Sequence, residues 1–509
     1  MKALHPTDSA PLQQQDPDFI VPMSAFNFIT GKLIGKLIRR AKRGTAVDQW
    51  GWDSREMWRD ILTDTPFLDI VAKHWIVPVA VGYLPLLYQQ HLAGGRLVAL
   101  SKQPKPGTRP INITDSWRRI AAKALLTTCL SDFNIFFQQG HPRVFQFSTA
   151  TADGAATMFH IVNAIFHNTS TASCPNLDDF FILLTLDIKN AYNTLSRQRI
   201  YDFFSKKCPT AEPGSQSWSG WDILWRHFAA HYGTTGLLKF YHSGSTYTIQ
   251  SLTGTQQGDP LGGILFTAPL QPLFNHIADT FPDILICVFA DNTVFLGPNS
   301  QVLMAADLLN TLLAEANLAL NASESNILLN NLPSTLSIPT TMTTNNGLEF
   351  PCTTEGIKLL GSPLGKASFC QELFNLIVTK IEHDYDLLKD FPYLHQRSKL
   401  LTFNVNTRIN YSLRTAAPFI TGPATARLDC SVDNFMADTF HFPADFLTCP
   451  ETSHYQQAIN QLRLGIRDGG SGCFRNEPLI AAASYSALAV TIKWLHKHPI
   501  EFTWLAQPL

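Results

Sequence analysis

The chain has 509 residues, of which 45% are hydrophobic and 16% charged, and its formal net charge at pH 7 is −1. This composition predicts a globular protein of two or three lobes and argues against a generally basic surface, so any nucleic-acid contact must be local. Nine cysteines lie far apart without a C-x-x-C pair, which argues against a zinc ribbon or a disulfide framework and predicts an intracellular, reducing compartment, either nuclear or cytoplasmic.

The N-terminal part of the chain is first polar and then basic. Residues 1–20 are rich in Gln, Pro and Asp, which predicts a disordered tail and not a secretory signal. Basic and apolar residues alternate at helical spacing over 32–43, which predicts a basic amphipathic helix whose polar face is solvated, contacts nucleic acid or serves nuclear import. The apolar stretch Ile76–Tyr88 is interrupted by two prolines and is too short to cross a bilayer, so we predict no membrane partner.

The pattern of apolar residues changes twice along the rest of the chain. Residues up to about Leu126 indicate helices, with one extended interruption at Arg96–Leu100. In the central third, the apolar run 181–186 predicts a buried strand, and the spacing of apolar residues over 302–313 predicts a helix. An apolar stripe over 373–388 then predicts a mainly helical C-terminal lobe.

Two predicted strands end in acidic residues. The apolar run 284–290 is followed by Asp291, Asn292 and a second apolar run, which predicts a hairpin with a carboxylate and an amide at its tip. The strand at 181–186 delivers Asp187 in the same way. Alone, either aspartate would more often be a turn former or a helix cap. Together, two such strand ends can share two Mg²⁺ ions, because Mg²⁺ prefers hard oxygen ligands.

Five segments, in this order and spacing, resemble the motifs of the reverse transcriptases of non-LTR retrotransposons. The segments are Lys102 and GTRPI at 107–111 with WRRIAAK at 117–123, LDIKNAYN at 186–193, QQGDPLG at 256–262, FADN at 289–292, and GIKLLGSPLG at 356–365. The resemblance spans about residues 48–488, because the segments around Arg414 and at 462–470 are similar to the helical region that follows the polymerase core. We therefore expect an RNA-directed DNA polymerase that performs two-metal nucleotidyl transfer.

The resemblance implies an α+β fold of the right-hand polymerase type. It implies fingers, a palm built on a small antiparallel sheet, and a helical thumb-like lobe. The boundaries we predict are a disordered tail at 1–20, an N-terminal helical region with the fingers at 21–180, a palm at 181–366, and a helical thumb-like region at 367–509.

The resemblance also assigns catalytic and metal-binding residues. Asp187 and Asp291 are expected to bind two Mg²⁺ ions, with Mn²⁺ as the alternative, and the backbone carbonyl of Ile188 is expected to be a further ligand. Asn292 completes the expected catalytic group. At this position the family carries a second aspartate, so one formal negative charge is missing beside the metal ions.

Nucleotide and primer contacts are implied in the same way. Lys102 and Arg109 are expected to neutralise the triphosphate, Arg109 through a bidentate grip. Tyr192 is expected beneath the incoming sugar, where its ring would exclude a 2′-hydroxyl; a core aromatic beside the sheet is the alternative interpretation. Gln257 and Gly258 are expected to support the nascent base pair and the template. Three residues are expected to hold the primer end, namely Leu359, Leu360 and Gly361.

A second departure from the family leaves the activity open. Glu324 stands where the family usually carries a lysine near the leaving pyrophosphate, and Lys358 is a candidate substitute. Loss of one acid at Asn292 predicts slow or manganese-dependent polymerisation. The alternative is a decayed or domesticated relic that binds nucleic acid without polymerising, while an RNA-templated RNA polymerase is disfavoured by Tyr192.

The expected partners follow from the same family. They are an RNA template, a DNA primer and dNTP substrates. An endonuclease would come from another protein or from a longer parent polyprotein, because the sequence carries no pattern of an apurinic-type endonuclease, an RNase H or a Cys/His knuckle.

Overall fold

The computed structural model describes residues 5, 26–41, 46–53, 64–102, 107–169, 180–207, 220–329, 339–442 and 453–500. The predicted tail at 1–20 lies outside these residues apart from His5, and so do Lys42 and Arg43 of the predicted basic helix. The rest of that helix is confirmed: Ile34 and Ile38 are buried while the Lys32 side of the helix is exposed.

Strands and helices alternate along the described residues. The strands are β1 (Gly95–Ser101), β2 (Thr108–Thr114), β3 (Val144–Gln146), β4 (Phe181–Asp187), β5 (Gly236–His242), β6 (Ser245–Ser251), β7 (Leu285–Phe289), β8 (Asn292–Pro298), β9 (Asn326–Leu329), β10 (Thr341–Thr343), β11 (Glu349–Thr353), β12 (Gly356–Leu359) and β13 (Ser362–Gly365). The helices are α1 (Gly31–Arg40), α2 (Thr65–Val71), α3 (Val77–Val81), α4 (Leu86–Ala93), α5 (Ser116–Gln139), α6 (Gly154–Asn168), α7 (Ala191–Thr194), α8 (Arg197–Lys207), α9 (Gly220–Tyr232), α10 (Gly262–Thr267), α11 (Gln271–Thr280), α12 (Asn299–Glu315), α13 (Ala367–Lys389), α14 (Leu394–Leu400), α15 (Asn410–Thr415), α16 (Pro418–Thr439), α17 (Ser453–Arg463) and α18 (Ile480–Leu495).

A seven-stranded sheet of order β10-β11-β9-β4-β8-β7-β3 forms the palm among the described residues. Its middle strands β9, β4, β8 and β7 are antiparallel, as predicted, whereas the outer pairs β3–β7 and β11–β9 are parallel. The first four residues of strand β4 are all apolar because alternate side chains enter two different cores: Ile182 and Leu184 enter one, and Phe181 and Leu183 the other. The predicted α+β, right-hand architecture is therefore confirmed.

A second sheet, of order β2-β1-β5-β6, carries the fingers hairpin. Strands β1 and β2 are antiparallel, and Lys102 and Arg109 lie near the tip of their hairpin. Strand β5 pairs with β1 in parallel and with β6 as an antiparallel hairpin. The predicted palm range 181–366 therefore contributes two strands, over 236–251, to the sheet of the fingers.

The C-terminal helices form a third core and return to the palm. Helix α13 buries the predicted apolar stripe, and Tyr385 on it packs on Phe435 of α16 with 5.7 Å between ring centroids. On α18, Trp494 packs on Phe145 and Phe147 with centroid distances of 5.3 and 5.0 Å. The last described helix is thus part of the hydrophobic core beneath the palm sheet.

Two described helices are long and apolar enough to cross a membrane, judged by length and composition alone. They are Ser116–Gln139 and Glu477–Leu495, and the bent pair Thr65–Val81 with Leu86–Ala93 would add a third span. Neither helix lies within Ile76–Tyr88, the stretch on which the sequence prediction rests, and buried core helices share the apolar composition of membrane spans. Helix α5 buries Ile120, Leu125 and Phe133 in the main core, and the absence of a membrane partner stays a prediction.

Candidate active site

The predicted hairpin tip and the end of β4 lie side by side. Phe289 pairs with Asn292, so Ala290 and Asp291 form a two-residue turn between β7 and β8. Ala290 has a φ of +57°, and its N–H donates to Gln146 Oε1 at 3.2 Å, which fixes this strained turn. Asn292 in turn lies directly opposite Asp187 across β4 and β8. The pairing therefore brings both predicted carboxylates to one end of the sheet.

The surroundings of the Asp187 carboxyl disfavour its ionised form. Burial raises its pKa above the usual value, and the charges of Asp291 and Glu324 raise the pKa further. Asn321 acts in the opposite direction, because its amide donates to Asp187 Oδ2 at 3.0 Å, and the positive charge of Lys102 also lowers the pKa. Glu324 is exposed, and its charge disfavours ionisation of Asp187.

The pKa of the Asp291 carboxyl is shifted by similar effects. Burial raises its pKa, while the charges of Arg109 and Lys102 and a hydrogen bond from Asn292 lower it. The Asn292 amide lies 3.3 Å from Asp291 Oδ1. The two predicted triphosphate-binding residues therefore act electrostatically on Asp291, although about 180 residues of sequence separate them from it.

Tyr192 lies close enough to Asp291 to be affected by its charge. Its ring stacks on Phe266 with 4.6 Å between centroids and an interplanar angle of 22°. Burial raises the pKa of its hydroxyl to about 12, and the charge of Asp291 adds to the shift. A Cβ placed on Gly263 would lie 4.0 Å from the hydroxyl, so α10 approaches Tyr192 closely. The ring is thus fixed from one side by an aromatic partner.

The glycine-rich turn packs on the fingers hairpin. Gly258 has a φ of +110°, and a Cβ there would lie 2.2 Å from the backbone oxygen of Asn112, so only glycine fits. The backbone oxygen of Gln257 accepts a hydrogen bond from Asn112 N–H at 2.7 Å. Gly258 is exposed and Gln257 half-buried, so this part of the turn is accessible from solvent.

The sequence model of the family described as reverse transcriptase (RNA-dependent DNA polymerase) matches residues 101–364, just over half of the chain. The chain belongs to the reverse transcriptase family. The match begins one residue before Lys102 and ends one residue before Gly365, so it contains every site residue described above.

This reverse transcriptase is similar to the retrotransposable element SLACS 132 kDa protein of Trypanosoma brucei gambiense, with 25% identity over 267 residues. The match covers 52% of this chain and 20% of that protein's length. Similar solved structures include apo telomerase from Candida tropicalis, at 13% identity, coverage of 86% and 72% of the two chains, and a TM-score of 0.39. A Sicinivirus RNA-dependent RNA polymerase shows 12% identity, coverage of 80% and 71%, and a TM-score of 0.37.

The predicted primer-side residues form a tight hairpin in the reverse transcriptase. Leu359 pairs with Ser362, and Leu360 and Gly361 form the two-residue turn, with φ values of +48° and +92°. Both positive values are typical of the type I′ turn that suits a β-hairpin. The Leu359 side chain is only 3% exposed and lies in the core, so the turn presents Leu360 and Gly361 while Leu359 anchors it.

Several residues that position the carboxyls were assigned no role from the sequence. Asn321 bonds to Asp187 through its side chain and through its backbone N–H, which donates to the Asp187 carbonyl at 2.8 Å. Ser325 Oγ accepts from Asp187 N–H at 3.2 Å. Ile188 has a buried side chain and bridges Leu320, while the metal-binding role of its carbonyl stays a prediction. These contacts join positions more than 130 residues apart, which sequence periodicity does not reveal.

The donor set fits a divalent cation that prefers oxygen. The reverse transcriptase family generally uses divalent metal ions. Among the described residues, no three His, Cys, Asp or Glu side chains converge, so the site offers the carboxylates of Asp187 and Asp291 and the amide of Asn292. Both carboxyls have raised pKa values, and a bound cation would relieve their repulsion. Substrate phosphates and water would have to complete an octahedral shell.

Proposed function

We propose that the chain is an RNA-directed DNA polymerase, of the non-LTR retrotransposon type, that extends a DNA primer on an RNA template. One observation carries the proposal: two half-buried carboxyls at the ends of adjacent strands share the electrostatic influence of Lys102. Arg109 also acts on Asp291, and the predicted sugar-facing Tyr192 adjoins it. A triphosphate between these cations and carboxyls would place its α-phosphate next to a primer end.

In this reaction, each group of site residues has its own role. The primer 3′-oxygen attacks the α-phosphorus, the bond to the bridging oxygen breaks, and pyrophosphate leaves. Divalent cations held by Asp187 and Asp291 would supply activation of the 3′-hydroxyl and neutralisation of the leaving group. Lys102 and Arg109 neutralise the triphosphate, Gln257 and Gly258 face the nascent pair, and the primer-side turn supports the primer end.

Primer extension on an RNA template tests this proposal. With an RNA template, a DNA primer and dNTPs, we expect extension with Mn²⁺ and weaker extension with Mg²⁺. A chain that binds the template–primer duplex and extends it with neither cation would be a relic. The exposed Glu324 and the amide at position 292 support this second candidate, because Glu324 repels an anionic substrate and a neutral amide holds cations less strongly than a carboxylate does.

Replacing Tyr192 tests the choice of sugar. We expect Tyr192→Ala to lower the preference for dNTPs over rNTPs by about 10- to 100-fold, because the ring that would meet a 2′-hydroxyl is lost. The measurement compares kcat/KM for dGTP and GTP on one template. Tyr241→Ala, at a tyrosine that is 50% exposed in the fingers sheet, is the control and should keep the preference. An unchanged preference in Tyr192→Ala would refute the steric role.

Replacing Asn321 tests the support of Asp187 and gives a pH dependence. The Asn321 amide lowers the pKa of Asp187, so Asn321→Ala should raise that pKa and keep the carboxyl protonated to higher pH. We expect extension at limiting Mg²⁺ to fall by about 10-fold, with a larger deficit at low pH.

The pH–rate profile is the measurement. Its acid limb should move to higher pH in Asn321→Ala and should stay in place in Asn326→Ala, whose amide donates to the Glu324 carbonyl at 3.4 Å. Coincident profiles for wild type and Asn321→Ala would exclude this role.

A further inference from the structure

We propose that Asn112 is a positioning residue that fixes the triphosphate-binding hairpin at a set distance from the turn supporting the base pair. The inference rests on the proposed function. Asn112 lies on β2, three residues after Arg109, which corresponds to about 10 Å along the strand. It faces the glycine-rich turn with both its backbone and its side chain.

Asn112 holds three consecutive residues of that turn. Its side-chain amide donates to Gln256 Oε1 at 2.7 Å, and its N–H donates to the Gln257 carbonyl at 2.7 Å. Its own carbonyl packs against Gly258, where a Cβ would approach it to 2.2 Å. A backbone bond, a side-chain bond and a steric contact from one residue fix both the register and the depth of the turn.

The turn is braced from behind by buried polar groups. Asp259 accepts hydrogen bonds from Arg118 Nη2 at 2.5 Å and from the Tyr232 hydroxyl at 2.8 Å, and all three side chains are buried. Arg118 Nη1 also donates to the carbonyl of Ala93 at 3.2 Å, which receives Gln256 Nε2 at 2.8 Å as well. These bonds hold the turn in place, and Asn112 connects it directly to the hairpin.

Packing alone does not account for asparagine at this position. Asn112 is 2% exposed, and its Oδ1 is buried without a hydrogen-bond partner among the described residues. An unsatisfied buried oxygen is unfavourable, so an apolar residue would suit a purely structural site better. Gly95 also lies against it, since a Cβ there would approach Oδ1 to 2.3 Å, so the surroundings accommodate this particular amide.

Binding of the next templated dNTP tests the role without requiring chemistry. A primer ended with a dideoxynucleotide is annealed to an RNA template, and the Kd of the correct dNTP is measured for each variant. We expect Asn112→Ala to raise this Kd by about 10-fold, the effect of one lost positioning hydrogen bond, with template–primer affinity unchanged. In active preparations, KM should rise more than kcat falls.

Two further variants make the test specific. Gln256→Met removes the same hydrogen bond from the other side, together with the bond to the Ala93 carbonyl, so it should raise the Kd at least as much, and the double variant should be no worse than Gln256→Met alone. If Asn112→Ala does not fold, Gln256→Met alone tests the positioning role. Asn134→Ala is the control, because its half-buried amide donates a single bond to the Ala150 carbonyl at 2.9 Å, and dNTP binding should be unaffected.

The outcomes separate this inference from the proposed function. A dNTP Kd within about twofold of wild type in both Asn112→Ala and Gln256→Met overturns the positioning role. Binding of templated dNTP by the wild type without incorporation overturns polymerisation and leaves the positioning role standing. No binding of dNTP by the wild type overturns both.

Discussion

Asp291→Ala is expected to reduce primer extension by at least about 100-fold with either Mg²⁺ or Mn²⁺. Changes in groups behind metal ligands already lower affinity or activity by about 10–100-fold, and Asp291 is one of two carboxylates available to a metal ion at this site. The measurement is single-nucleotide incorporation on an RNA template at saturating dNTP. Asp187→Ala should behave in the same way.

The melting temperature of Asp291→Ala shows whether a loss of activity comes from the site or from a damaged fold. Burial raises the pKa of Asp291, so the folded state binds a proton more tightly than the unfolded chain does. Its ionised form therefore destabilises the metal-free fold, and this penalty grows as pH rises from the unfolded towards the folded pKa. Metal-free Asp291→Ala should melt no lower than wild type at neutral pH, and Asp279→Ala, at an exposed residue beside His141, should keep full activity. Residual activity near the wild-type level in Asp291→Ala would contradict the assignment.

Asn292→Asp is expected to increase Mg²⁺-supported extension by about 10-fold or more and to reduce the advantage of Mn²⁺. The substitution adds a carboxylate next to Asp291 and opposite Asp187, where one negative charge is missing relative to the family. Mg²⁺ depends strongly on hard anionic ligands and well-formed coordination, so it gains most from the restored charge. The measurement is the Mg²⁺ and Mn²⁺ concentration dependence of incorporation by both proteins.

The same substitution should be unfavourable in the absence of metal. A third acid would raise the already raised pKa values of its neighbours, so the metal-free melting temperature should fall and recover on addition of Mg²⁺. Asn292→Ala is the matched control and should lose activity with both cations. If Asn292→Asp binds template and primer but extends with neither ion, the relic hypothesis is favoured.

The palm was predictable because its signals are local. The buried strand before Asp187, the hairpin before Asp291 and the helix over 302–313 all appear as runs or periods within about 20 residues. The parallel edge pairs and the β5–β1 pairing were not predictable, since they join segments far apart in sequence and leave no periodic trace. Domain boundaries drawn along the chain therefore miss the contribution of 236–251 to the fingers.

The residues of the candidate site also differ in whether the sequence could reveal them. Residues that would touch metal or nucleotide, such as Asp187, Arg109 and Tyr192, stand inside motifs, because chemistry restricts both their type and their spacing. Residues that hold them, such as Asn321 and Asn112, make hydrogen bonds across 134 and 144 positions of sequence. A single sequence gives no reason to select these two asparagines from the others.

The return of α18 to the palm limits how the chain can be divided. Trp494 closes one side of the core that contains Phe145 and Phe147, and Arg414 and Thr415 of α15 bond to Asp153 and Ser362. A fragment that ended at Lys366 would keep every polymerase motif yet expose these aromatic rings to water. We expect it to aggregate or to melt at a lower temperature than the full chain, because the C-terminal helices cover part of the palm core.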